Sequence, residues 1–95
     1  MEKAEILKLV KLDLTMSTSA YDDYLNGLID RAKAAIKMEG INLNLKETAD
    51  VMLLVQYAAY LWRKRKGEDL AMPRSLRYAL NNYHVSQHGG DDSGS

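Results

Sequence analysis

The stretch that decides the fold is VMLLVQYAAYLW, residues 51–62, in which Gln56 is the only strongly polar residue. At the helical repeat of 3.6 residues, its apolar side chains point to nearly every side. A helix needs about 20 apolar residues to span a bilayer, so this stretch is too short to be a transmembrane helix. We therefore expect a long central helix that other apolar surface must cover nearly all round.

The flanks of this stretch predict where the central helix begins and ends. Asn44 can cap its start, and Glu47 three residues later completes the pattern of a capping box. The helix then runs to about residue 66, with Gly67 as its stop. Three shorter helices can hardly cover every side of it, so we infer that another subunit covers part of this helix, or of the side that carries its tyrosines.

Two helices are predicted before the central one. The first covers residues 2–12, with leucine and valine on one side and lysine on the other. The second begins near Thr18 or Ser19, either of which can cap it. Its apolar residues recur at spacings of three and four, and Gly40 can end it in a left-handed conformation.

The chain's single proline begins the fourth helix. Pro73 suits a first helical position, because its φ is fixed and it has no N–H to leave unbonded. Leu76, Leu80 and Tyr83 then form a stripe that can pack on the central helix. The glycine- and serine-rich residues 89–95 follow as a disordered tail.

Composition agrees with one small helical domain. The chain has 95 residues, 46% of them hydrophobic, which is enough for a single domain over residues 1–88. The sequence therefore predicts an all-α fold: a small bundle of about four helices with a long central third helix and a disordered C-terminal tail. Cysteine is lacking and no signal peptide is visible, so we expect a soluble, cytosolic chain.

The charges balance overall but not locally. The 13 basic and 13 acidic residues give no reason to expect strong non-specific binding to DNA. Residues 63–77, however, contain six basic and two acidic residues, a local net charge of +4. The consecutive cations at residues 63–66 fit either of two explanations. They favour the negative end of the helix dipole and are solvated, or they contact a negatively charged surface of nucleic acid or of an acidic partner.

Few residues suggest catalysis or metal binding. His84 and His88 are four apart, the spacing that puts two imidazoles on one helix face. A third ligand is not evident, so we expect both to be solvated near a helix end. The acidic pair Asp22 and Asp23 fits the first turn of a helix better than acid–base chemistry. We predict no catalytic, cofactor-binding or metal-binding residue, and the chain is not expected to be an enzyme.

Four segments occur in an order that resembles a known family. They are ILKLVKLDL (residues 6–14), YDDYLNGLIDRAKAAI (21–36), YAAYLWRKRKGE (57–68) and MPRSLRYALNNY (72–83). Together they resemble the small helical head–tail connector proteins of long-tailed bacteriophages, also called head-completion or DNA-packaging adaptor proteins. The resemblance covers about residues 4–84, and its motifs are packing patterns.

The resemblance implies a structural protein of the virion, located at the head–tail junction and present in the host bacterial cytoplasm before assembly. It implies a homo-oligomeric ring of about a dozen copies beneath the portal protein, closed by head-to-tail contacts. Such a ring extends the DNA channel and docks the tail-side completion protein. DNA passes through the lumen without sequence-specific binding, no cofactor or membrane is involved, and the isolated chain can stay monomeric until the portal templates the ring.

The hypothesised subunit or portal interface combines the cationic cluster with tyrosines of the third and fourth helices. Its residues are Tyr57, Tyr60, Arg63, Lys64, Arg65, Lys66, Arg74, Arg77 and Tyr78. A channel-facing cluster, repeated in every copy, would hold DNA too tightly for passage, so we place it at a subunit or portal-facing surface. The alternative function is a small helical nucleic-acid-binding module, although the zero net charge argues against it.

Overall fold

The computed structural model describes residues 1–65 and 71–93, the last five of these by their backbone alone. Those residues form four α-helices and no strand: α1 (Lys3–Asp13), α2 (Asp22–Met38), α3 (Thr48–Arg65) and α4 (Arg74–Ser93). The prediction of an all-α bundle of about four helices is confirmed. The tail predicted over residues 89–95 begins where the description of side chains ends, and its last two residues lie outside the described part of the chain.

Helix α3 is the centre of the bundle. It packs against α1, α2 and α4, and α1 also packs against α2. One cluster of buried apolar side chains joins all four helices and the α2–α3 connection. Its most completely enclosed large side chains are Ile6, Val10, Leu25, Leu28, Ile29, Ile36, Ile41, Val51, Leu54, Val55 and Leu80. Burial of this cluster is the main force that holds the helices together.

Helix α3 does not leave the uncovered apolar surface that the sequence predicts. Nine of its residues are buried, and only Met52 and Gln56 are exposed within residues 51–62. The prediction that sister copies must cover this helix is therefore wrong. Its apolar side chains are almost entirely enclosed within a single chain.

The α2–α3 connection supplies the cover that a count of helices misses. Ile41 is buried in the core, and Leu43 and Leu45 pack against it from the same connection. On α3 itself, Ala58 and Ala59 are fully buried, and such small side chains let neighbouring backbones approach closely. The three apolar side chains of this connection thus cover part of the core that a further helix would otherwise have to cover.

Gly40 ends α2 as predicted. Its φ is +83°, the left-handed region that favours glycine. The Gly40 N–H donates to the carbonyl of Lys37, and the Ile41 N–H donates to that of Ile36. These two bonds are those of a Schellman motif, in which the residue after the glycine commonly makes an apolar contact. Ile41, which is 1% exposed, makes that contact and directs the chain into the core.

Both predicted N-terminal caps are wrong. Helix α2 begins at Asp22 without a side-chain cap, because the Thr18 hydroxyl accepts a hydrogen bond from the Ala20 N–H in the preceding turn. Before α3, the Asn44 carboxamide oxygen similarly accepts from the Lys46 N–H. The Asn44 N–H donates to the Asp50 carboxylate at 2.8 Å. In the predicted capping box, this N–H would instead donate to Glu47.

Helix α4 begins close to the predicted residue and packs as predicted. The Pro73 carbonyl accepts the first helical hydrogen bond, from the Arg77 N–H, so Pro73 lies one position before Arg74. Leu76 and Leu80 are buried, and Tyr83 packs against the core at its edge. The predicted stop of α3 at Gly67 lies outside the described residues.

Candidate functional site

Two tyrosines of the hypothesised interface lie inside the chain. Tyr57 and Tyr60 are 9% and 8% exposed, with their rings in edge contact at 6.0 Å between centroids. Burial raises the pKa of Tyr57, and the Glu39 carboxylate and Tyr60 add to the rise while Arg77 opposes it. Because both rings are buried within the chain, neither is available to contact another subunit. The two tyrosines are therefore removed from the hypothesised interface.

Arg77 also has a partner within the chain. Its guanidinium donates to both carboxylate oxygens of Glu39, at 2.9 and 3.2 Å, and this hydrogen bonding raises the arginine's pKa. The bidentate geometry is the strongest form of such a pair. Arg77 therefore ties α4 to the end of α2, and it does not project towards a neighbour as the sequence suggests.

The C-terminal half of α4 binds the backbone of the α2–α3 connection. The Gln87 carboxamide accepts from the Asn42 N–H and donates to the Asn42 carbonyl, both at 2.8 Å. His88 Nε2 lies 2.5 Å from the Gly40 carbonyl oxygen, so it donates to that oxygen. The His84 ring lies beside it, 4.6 Å away between centroids. The prediction that both histidines are merely solvated is wrong for His88, which helps to hold α4 in place.

Tyr83 makes a further polar contact between α4 and the rest of the bundle. Its hydroxyl lies near the Asp50 carboxylate, the group that accepts from the Asn44 N–H. Burial, the interaction with Asp50 and the nearby carboxylates raise the pKa of Tyr83 to about 12. Asp50 thus joins the start of α3 to the middle of α4.

Tyr83→Phe is expected to remove a stability contribution that depends on pH. At neutral pH the lost interaction with Asp50 costs about 1 kcal/mol. The folded-state pKa lies above the ordinary value of 10.0, so the contribution is fully present below pH 10 and declines as pH rises towards about 12. Urea unfolding at pH 7, 9 and 11 should show the two proteins converging at the highest pH. A constant difference would contradict the assignment, and Tyr78→Phe, on an exposed ring, is the control.

The outer side of α4 carries the part of the hypothesised interface that does face solvent. Arg74, Tyr78 and Val85 are exposed along this side, with Tyr78 at 61% and Val85 at 63%. A second exposed apolar residue lies on α1, where Leu12 is 67% exposed. Leu12 lines an open groove of about 290 Å³ together with Ala4, Leu7, Lys8, Lys11, Met16 and Asp22.

The cationic cluster at the end of α3 is divided between different contacts. Arg63 forms an ion pair with Asp13 at 3.4 Å, and Lys64 lies 5.9 Å from the centroid of the Tyr60 ring. Lys66 lies outside the described residues. Among the three described cations of this cluster, Arg63 is thus paired with α1, while Lys64 lies near an aromatic ring of its own helix.

Arg65 is the centre of an aromatic contact that the sequence does not predict. Its guanidinium carbon lies 4.7 Å from the ring centroids of both Tyr24 and Trp62, and Tyr21 meets Trp62 edge-on at 5.1 Å. An open groove of about 230 Å³ runs beside it, which we call the Arg65 groove. It is lined by Tyr24, Arg31, Leu61, Lys64 and Arg65. Tyr24 and Arg31 are seven residues apart, and this spacing puts them on one side of α2. It is the sequence signal that could have indicated this groove.

The described part of the chain has neither a cluster of metal ligands nor a membrane-spanning helix. There, no three histidine, cysteine, aspartate or glutamate side chains are placed to hold a metal ion together. None of its helices has the length and apolar character needed to cross a membrane. Comparison of the chain with protein-family models, with curated proteins and with solved structures finds no match.

Proposed function

We propose that this protein is a structural subunit of a bacteriophage head–tail connector ring, docking under the portal and extending the DNA channel towards the tail. The proposal rests on the ordered segments that resemble this family. Three of those four segments lie largely on α1, α2 and α4, and the YAAYLW part of the remaining one lies on α3. The observed succession of helices is thus compatible with the fold that the resemblance implies.

The observation that best supports ring assembly is a pair of exposed apolar features on two different helices. A ring needs a heterologous contact, in which one surface of each copy meets a different surface of the next. Tyr78 and Val85 on α4 supply one such surface, and the groove beside Leu12 on α1 supplies the other. Exposed tyrosines are frequent at the centres of such contacts.

The enclosure of α3 changes how assembly is expected to occur. The apolar residues of α3 are covered within one chain, so a copy does not need a neighbour in order to fold. We infer that the subunit folds as a monomer and then joins the ring through its outer surfaces, including that of α4. This agrees with assembly that begins on a portal template.

Tyr78→Glu and Leu12→Glu are each expected to abolish ring formation while the helical circular dichroism stays unchanged, because each buries a charge in one half of the same contact. The mass of the assembly, alone and with a portal ring, measures the effect. Met38→Glu is the matched control, because Met38 is 89% exposed and lies on neither of the two proposed surfaces.

A mixture of the two defective variants gives the sharper result. Each retains the surface that the other has lost, so the mixture should form a dimer of one copy of each and nothing larger. Rings formed by either variant alone would contradict the proposed contact. A wild-type chain that stays monomeric in the presence of a portal ring would contradict the proposed function.

A further inference from the structure

We infer that the Arg65 groove binds an acidic segment of a partner protein. This site does not depend on the contact between α4 and α1, and it lies on the surface formed by α2 and the end of α3. If the ring proposal is correct, the partner belongs to the neighbouring layer of the assembly. The inference about the groove does not require the ring.

Among the residues whose side chains the structure describes, the cations of this groove have no counter-ion. Lys3, Lys11, Arg63 and Arg77 each pair with a carboxylate within the chain. No carboxylate among residues 1–65 and 71–88 pairs with any of the three groove cations, which are Arg31, Lys64 and Arg65. Three cations around one small depression repel each other, and an anionic ligand would relieve that repulsion.

The aromatic side chains prepare Arg65 for binding. The guanidinium lies over the rings of Tyr24 and Trp62, both 4.7 Å away, which restricts a long and otherwise mobile side chain. A guanidinium held by its face keeps its N–H groups, which lie at its edge, available as hydrogen-bond donors. Those donors form the fork that binds a carboxylate in a bidentate manner. Less side-chain entropy is then lost when the ligand binds.

Acidic protein side chains fit this site better than nucleic acid does. Single-stranded nucleic acid is held by bases that stack on open aromatic faces. Here Arg65 already lies over Tyr24 and Trp62, and Trp62 is 6% exposed. The groove of about 230 Å³ has room for a few side chains, and the chain's zero net charge does not attract a long polyanion. An acidic peptide segment is therefore the ligand that we propose.

A hexaglutamate peptide tests this inference, with Trp62 as the reporter. Trp62 is the chain's only tryptophan, and it lies directly beneath Arg65, so a ligand that engages Arg65 should change its fluorescence. The titration is made at low ionic strength, where exposed charges are least screened. We expect a saturable change that weakens as salt is added. No saturable change at low salt would overturn the inference.

The double variant Arg31→Glu/Lys64→Glu is expected to weaken peptide binding at least about tenfold, equivalent to about 1.4 kcal/mol. It leaves Arg65 and both of its aromatic contacts in place, so the reporter is preserved. Lys37→Glu is the control, because it makes the same kind of charge reversal at an exposed position of α2 outside the groove and should leave the affinity unchanged. Equal weakening by the control would show a non-specific charge effect and overturn the site.

A thymidine oligonucleotide of twelve residues decides between the two anionic partners. At the same salt concentration it should bind more weakly than hexaglutamate. Tighter binding of the oligonucleotide, lost in the double variant, would overturn the assignment to an acidic peptide and make the groove a nucleic-acid site. The single variant Arg31→Glu, at a residue outside the hypothesised interface, should still form rings through Tyr78 and Leu12, so failure of this inference is distinguishable from failure of the proposed function.

Discussion

Leu54→Ala is expected to lower the free energy of unfolding by about 3 kcal/mol, the largest effect that we predict for a single substitution. Leu54 is 0% exposed and lies on the central helix α3, within the cluster that joins all four helices. Removing its branched end costs both the burial of apolar surface and the cavity that remains. A small domain is stable by roughly 5–15 kcal/mol, so the loss is a large part of the total.

Urea unfolding followed by circular dichroism measures this effect. Met52→Ala is the matched control on the same helix, because Met52 is 39% exposed, and its loss should cost less than about 0.5 kcal/mol. The difference between the two variants should also be independent of protein concentration, since the cover of Leu54 comes from its own chain. Similar losses in both variants would contradict the described packing of α3.

Gly40→Ala is expected to destabilise the chain by about 1–2 kcal/mol. The φ of +83° at Gly40 lies in the left-handed region, where the backbone of any residue with a Cβ is strained. The added Cβ would also lie 3.3 Å from His84 Cδ2 and 3.5 Å from His88 Nε2. His88 donates to the Gly40 carbonyl, so part of the α4 contact is expected to weaken along with the α2 terminus.

Gly27→Ala should act in the opposite direction and is the matched control for the same substitution. Gly27 lies within α2, and nothing lies within 4 Å of the Cβ that alanine would add. Alanine is the better helix former, so we expect stabilisation of about 0.5–1 kcal/mol. Thermal unfolding of both variants would show melting temperatures on opposite sides of the wild type. A stabilising Gly40→Ala would contradict the left-handed α2 terminus.

The local features that the sequence predicts correctly are those that one element decides alone. Gly40 follows an amphipathic helix, and the cost of a left-handed residue is low only for glycine, so its position could be predicted. The stripe of Leu76 and Leu80 follows from helical spacing in the same way. Neither feature depends on where distant parts of the chain lie.

The errors arise where one side chain has several competing partners. Thr18 and Asn44 have the composition of helix caps, but each bonds a nearer N–H, two residues later in the chain. The sequence cannot say which of these local bonds is preferred, because both satisfy the same oxygen. Asp50 accepts from the Asn44 N–H, and its carboxylate also lies near Tyr83, a residue of another helix.

The coverage of α3 could not be predicted because it depends on three-dimensional arrangement. The sequence shows that residues 51–62 are apolar on nearly all sides, but not that the α2–α3 connection adds apolar side chains to the same core. The contacts of the candidate site likewise depend on the three-dimensional arrangement of the helices. Arg77 meets Glu39 from 38 residues away, and Arg65 meets Tyr24 from another helix. Such pairs leave no spacing signal along the chain.

Amide hydrogen exchange of the dilute chain tests most directly the claim that α3 is enclosed by its own chain. We predict that the amides of residues 53–62 exchange only through global unfolding, with a free energy equal to that from urea unfolding. This agreement is expected for the dilute monomer, before assembly adds its own stabilisation. Rapid exchange along α3 in the dilute chain, slowed on assembly, would show that other copies cover this helix and would contradict the account.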